Sequence, residues 1–202
     1  MKHIFRKGKN EKLPTLVLLH GTGGNEEDLL PLADIIAPEA SVLGVRGNVL
    51  ENGMPRFFRR LSEGVFDEED LIFRTKELNE FLDDAADQYG FDRNHVVAVG
   101  YSNGANIAAS MLYHHQSSLK GAALFHAMVP RRGVDIPALN DTPVFTGAGE
   151  VDPLIPAEET KELIKRLQES GAQVTEHWGP GGHQLTKDEV EDAKVWFEKN
   201  FN

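Results

Sequence analysis

The sequence has 202 residues, 40% hydrophobic and 26% charged, the composition of an ordinary globular chain with enough length for one sizeable core. Its 21 Lys and Arg are outnumbered by 32 Asp and Glu, and a net charge of −11 repels phosphate backbones and anionic lipid surfaces, so neither nucleic acid nor membrane is an expected partner. The absence of cysteine excludes disulfides, thiolate nucleophiles and cysteine metal sites.

Met1–Leu13 is polar and basic and lacks the apolar stretch and cleavage site of a signal peptide, so a cytoplasmic location is the default expectation. Leu16-Val17-Leu18-Leu19, closed by His20-Gly21, reads as a strand buried on both faces. Leu29, Leu30, Leu32, Ala33, Ile36 and Ala37 then recur at helical spacing, which predicts a helix over Glu26–Ala37 with Asn25 as N-cap. The alternation continues with strand Ala40–Val45, helix Glu68–Tyr89, strand His95–Gly100 and helix Asn103–His114. Strands Gly121–Phe125 and Pro143–Thr146, helix Ala157–Ser170, strand Gln173–Trp178 and helix Lys187–Asn200 complete it. The expectation is a single domain over residues 1–202, an α/β fold with a doubly wound, mostly parallel sheet. Its long loops, Gly47–Asp67 and His126–Thr142, follow strand carboxyl ends, where such sheets bind ligands.

Gly100-Tyr101-Ser102-Asn103-Gly104 joins an apolar strand to a helix, the context of a nucleophile elbow. Glycines on either side are expected to let the backbone bend sharply and expose Ser102 Oγ. The bland alternative is a glycine-flanked serine serving as a helix N-cap. A serine hydroxyl needs an imidazole to remove its proton and a carboxylate to orient that imidazole. Among eight histidines, His183 lies in Gly179-Pro180-Gly181-Gly182-His183, between the last strand and the last helix, as a base requires. His3, His95, His114 and His115 read as surface residues, and His177 as strand packing. Asp152, in Gly149-Glu150-Val151-Asp152-Pro153, falls between nucleophile and base in chain order. Glu150 competes with it, and an Asp before Pro is also an ordinary turn starter.

His20-Gly21-Thr22-Gly23-Gly24 has the glycines of an oxyanion loop, which places backbone N–H donors at Thr22 and Asn103. A phosphate-cradling turn is the alternative, but both the dinucleotide spacing and a P-loop lysine are missing. No metal is expected, since His114-His115 are adjacent rather than spaced along one helix face. Met54, Phe57 and Phe58 are candidate pocket-lining residues, with structural anchoring the equal alternative. His126 is a candidate substrate contact, against a satisfied core histidine.

Together, His-Gly-x-Gly-Gly, Gly-x-Ser-x-Gly, Gly-x-x-Asp and Gly-His resemble the carboxylesterase, phospholipase and acyl-protein thioesterase group of small α/β-hydrolases, over nearly the whole chain. Arg46 and the run Gly53-Met54-Pro55-Arg56-Phe57-Phe58-Arg59-Arg60 look most like its bacterial members associated with resistance to hydroquinone-type compounds. The resemblance implies an α/β-hydrolase fold without a large cap domain and a serine esterase of short-acyl or aromatic esters, with catalytic roles carried to Ser102, Asp152 and His183. It implies no cofactor, and because relatives often pair, a homodimer. Gly23-Gly24 departs from the Gly-Asp pair of many thioesterases, which favours a small soluble ester over an acyl-protein. The alternative from another class is a catalytically silent α/β-hydrolase that binds a small molecule as sensor or carrier. Dehalogenation needs a carboxylate at position 102, where this chain has serine.

Overall fold

A computed structural model describes all 202 residues. The elements in chain order are β1 (His3–Arg6), β2 (Thr15–Leu19), α1 (Leu30–Ile36), β3 (Val42–Val45), β4 (Val49–Glu51), β5 (Met54–Arg56), β6 (Arg60–Ser62) and β7 (Val65–Phe66). They continue as α2 (Glu68–Tyr89), β8 (Val96–Tyr101), α3 (Asn103–His114), β9 (Gly121–Phe125), β10 (Pro143–Gly149), α4 (Ala157–Glu169), β11 (Gln173–Gly179) and α5 (Lys187–Phe201). Seven strands form the central sheet in the order β1-β3-β2-β8-β9-β10-β11. All neighbours pair in parallel except β1, which runs antiparallel to β3 at the edge.

Apolar runs on β2, β3 and β9 are buried at every position because helices cover both faces. Side-chain alternation divides the interior in two. Val17 and Leu19 of β2 pack with Leu71, Leu78 and Leu82 of α2 and with the buried face of α3. Leu16 and Leu18 pack instead with Ala33 and Ile36 of α1 and with Val190, Trp196 and Phe197 of α5. Local signals fix the ends of α2: the Asp67 side chain accepts the Asp70 amide at 3.1 Å, and Gly90 closes the helix at φ 73°. No helix is long and apolar enough to cross a membrane.

The structure departs from the sequence expectation in three places. The N-terminal segment supplies β1, and Gly47–Asp67 folds into the hairpins β4–β5 and β6–β7. Helix α1 begins at Leu30, not Glu26, and Asn25 caps only a turn, accepting the Glu27 amide at 2.8 Å. Glu26 is drawn inward, where its carboxylate pairs with Lys2 at 3.1 Å and Arg46 at 2.5 Å. Its carbonyl presses on β3 so closely that a β-carbon on Gly44 would lie 1.9 Å from it.

Burial pushes the Glu26 carboxyl up, but its own backbone amide, Lys2 and Arg46 outweigh burial and hold it at about 2, against an ordinary 4.5. A carboxyl lowered on folding stabilises the native state above its unfolded value and ceases to do so as pH falls through the folded one. The stability lead of wild type over Glu26→Gln is therefore expected to be full above pH 4.5 and to vanish towards pH 2. Urea midpoints measured across that range check this, and a pH-independent lead would contradict it.

Candidate active site

The chain runs from β2 to β3 on one side of the sheet and then crosses to β8 on the other, while β2 and β8 are themselves paired. Loops leaving the carboxyl ends of β2 and β8 therefore meet at a topological switch point, where open α/β sheets place ligands. Ser102 leaves β8 at φ 52° and ψ −113°, strained for a residue with a β-carbon, and α3 starts at the next position. Its amide donates to Phe125 O on β9 at 2.9 Å, which pins the turn to the neighbouring strand. The flanking glycines act differently from the sequence expectation. Neither Gly100 nor Gly104 has a positive φ, and both are required for close approach, because a β-carbon on Gly104 would lie 1.9 Å from Leu19 O.

His183 Nε2 lies 2.9 Å from Ser102 Oγ, and His183 Nδ1 lies 2.7 Å from Asp152 Oδ2. Tyr101, the last residue of β8, donates its hydroxyl to His183 O at 2.6 Å and so ties the histidine loop to the elbow strand. Asp152 is buried, and its Oδ1 accepts the Leu154 and Ile155 amides at 2.8 and 3.0 Å. Burial pushes this carboxyl up, but His183, the Leu154 amide, His126 and the Ile155 amide hold it below the usual carboxylate range. Glu150, its competitor in the sequence, is exposed.

The loop after β2 is braced from behind. Buried Gly47 N–H donates to His20 Nε2 at 3.1 Å, so the His20 proton sits on Nδ1, which donates to Gly21 O at 2.6 Å. Burial lowers the His20 pKa, consistent with that neutral ring. Arg56 donates to Thr22 Oγ1 at 2.6 Å, and Gly23 N–H donates to Pro55 O at 2.9 Å, so the β4–β5 hairpin sets this loop. Asn103 opens α3, where its N–H has no acceptor within the helix. Its side chain is buried and accepts the Phe57 amide at 2.7 Å.

A cleft of about 360 Å³ opens beside Ser102, lined also by Thr22, Asn103 and His183. The structure brings these together, but not the four candidate pocket residues. Phe57 and Phe58 are buried in the main core, His126 is sealed behind Asp152, and Met54 lies over Gly23 outside the cleft wall. The wall is formed instead by Arg56, Arg60, Phe66, Asn106, Met128 and Leu154, among others. Phe57 and Phe58 take the anchoring role that the sequence left open: both turn into the core at the bend between β5 and β6, while Arg56 at the end of β5 and Arg60 at the start of β6 line the cleft. His126, Asp152 and His183 offer atoms within 4.8 Å of one another, the spacing of a metal site. Each ring presents its Nδ1 to the same Asp152 oxygen, at 3.1 and 2.7 Å, so the three are joined here by hydrogen bonds.

A family model for phospholipases and carboxylesterases matches residues 2–201. The chain belongs to that family. It is a serine hydrolase with the α/β-hydrolase fold of this phospholipase and carboxylesterase family. A Bacillus subtilis (strain 168) protein named as a hydrolase, MhqD, is 58% identical over 199 residues, covering 98% of each chain. The crystal structure of a Bacillus cereus carboxylesterase superposes with a TM-score of 0.99 at 65% identity, over 100% of this chain and 95% of that one. The protein YahD, solved with malic acid, superposes with a TM-score of 0.93 at 32% identity, over 98% of both chains.

Proposed function

We propose that this hydrolase cleaves small carboxylic esters through an acyl-enzyme formed on Ser102. The observation that carries the reading is the continuous chain from Ser102 Oγ through His183 to Asp152, at 2.9 and 2.7 Å, opening onto a cleft. His183 Nε2 takes the Ser102 proton as Oγ attacks the ester carbonyl, and returns it to the departing alcohol. The Thr22 and Asn103 amides hold the oxyanion, the second aided by the amino end of α3. Water then repeats the cycle on the acyl-enzyme, with His183 as base.

The cleft favours a small, polar substrate over a long acyl chain. Arg56, Arg60 and Glu63 line its wall, and Glu51 pairs with the two arginines at 3.6 and 2.9 Å, so the wall is charged rather than greasy. The relative solved with malic acid, a small hydroxylated diacid, supports an ester that carries a carboxylate.

The test is fluorophosphonate labelling and ester turnover of wild type against Ser102→Ala. Labelling is expected to disappear and turnover to fall at least ~10³-fold in the variant. Monomethyl succinate is expected to be hydrolysed with higher kcat/KM than methyl butyrate, and the reverse order would mean that the arginines play no part in substrate choice. Folded wild type that resists the probe would favour the silent binding protein instead.

A further inference from the structure

Behind Asp152 lies a second pair of ionisable side chains that the acyl-transfer steps leave unused. His126 follows β9, is buried, and is held at φ 54°, a conformation that a β-carbon disfavours. Its amide donates to Gly147 O on β10 at 2.8 Å, which fixes the turn. Its Nδ1 lies 3.1 Å from Asp152 Oδ2, the same oxygen that faces His183. On the other side, its Nε2 lies 3.3 Å from Oε1 of Glu189, in the first turn of α5, and that carboxylate is as buried as the histidine.

One imidazole thus separates two carboxylates cut off from water. A neutral ring has one N–H and would turn a lone pair towards one of them, whereas an imidazolium turns an N–H towards each, as a hydrogen bond to Asp152 and as a 3.3 Å charge contact without hydrogen-bond alignment to Glu189. Buried charges persist only when paired, and the charge between Asp152 and Glu189 can come only from this ring. The other groups facing His126 are the His183 ring, 5.2 Å away, and the Tyr101 ring, 5.9 Å away. Tyr101 is neutral near pH 7, since burial, then Asp152 and Glu189, push its hydroxyl up. For His126 itself, burial pushes the ring down, but Glu189 and then Asp152 outweigh burial and raise it above the ordinary histidine value.

We propose that His126 and Glu189 are positioning residues for ester hydrolysis: His126, held as an imidazolium between Asp152 and Glu189, fixes the Asp152 carboxylate under His183 and keeps His183 free to act as base at mildly acidic pH. The proposal rests on the reading of Ser102, His183 and Asp152 as the catalytic set. A positive charge beyond Asp152 opposes a second proton on His183, and without it the pair Asp152 and Glu189 would attract one.

Two measurements test this. In the wild-type protein, two-bond ¹H–¹⁵N spectra of ¹⁵N-histidine-labelled material at pH 7 are expected to show both His126 nitrogens protonated, and a neutral ring would overturn the proposal without any variant having to fold. In His126→Gln, the acid limb of kcat/KM for p-nitrophenyl acetate is expected to move up by about one pH unit. In His126→Gln/Glu189→Gln, which restores the original net charge, it is expected to return towards wild type. A folded His126→Gln that loses rate but keeps the wild-type limb would show a purely structural role and overturn the proposal. Failure of the underlying triad reading would appear separately, as turnover retained in Ser102→Ala.

Discussion

Replacing Asp152 with asparagine is expected to lower kcat by about 10³- to 10⁴-fold while the protein stays folded. The isosteric amide keeps its oxygen available for the Leu154 and Ile155 amides, which reach Asp152 Oδ1 at 2.8 and 3.0 Å and hold the loop between β10 and α4. At the other position an NH₂ group replaces the oxygen that both His183 Nδ1 and His126 Nδ1 approach. A donor facing two donors forces His183 to turn a lone pair towards position 152, so its proton moves to Nε2. That nitrogen, 2.9 Å from Ser102 Oγ, then cannot accept the serine proton. The loss belongs in kcat rather than KM, because the cleft wall is unchanged. Turnover of p-nitrophenyl acetate, with a thermal melt beside it, measures both parts. Activity within about tenfold of wild type would mean that the carboxylate neither selects the tautomer nor stabilises the imidazolium.

The same residue shows where the sequence was readable and where it was not. Strand and helix order, the full extents of α2, α3 and β9, and the chain order of Ser102, Asp152 and His183 rest on local signals: apolar periodicity, Asp67 and Gly90 at the ends of α2, and a glycine-flanked serine after an apolar run. What escaped depends on contacts distant in sequence. β1 is a short edge strand with no fully buried position, so it carries no periodic signature. Glu26 looks like the start of a helix until Lys2 and Arg46 draw it inward. Arg56 sits in a loop-like run, and its contact with Thr22 spans 34 residues. Glu189 reads as an ordinary acidic residue in a first helical turn, and nothing local announces that it faces His126. Nothing local in Phe57-Phe58 marks the bend that turns both rings into the core and leaves Arg56 and Arg60 on the cleft wall.

The largest stability effect is expected at the elbow, from Gly104→Ala. A β-carbon there would lie 1.9 Å from Leu19 O, 2.3 Å from Leu19 C and 2.7 Å from His20 O, all backbone atoms at the end of β2. No side chain can rotate away to relieve this, so α3 must lift from the sheet or the end of β2 must move. Overpacking ordinarily costs about 1–3 kcal/mol, and an obstacle made of backbone places this change at or above the top of that range. In a chain of this size a loss of that order lowers Tm by roughly 10 °C. Gly181→Ala is the control: it too lies in a glycine-rich loop of the site, but nothing stands within 4 Å of its added carbon and its φ is not positive, so its stability should stay within about 0.5 kcal/mol of wild type. The displaced strand end also carries His20 to Gly24, so any folded Gly104→Ala protein is expected to lose turnover more than fluorophosphonate labelling, since Ser102 remains while the Thr22 amide shifts. Urea midpoints for the two variants decide the matter. Equal stability would mean that the elbow glycine answers to something other than the close approach of α3 to β2.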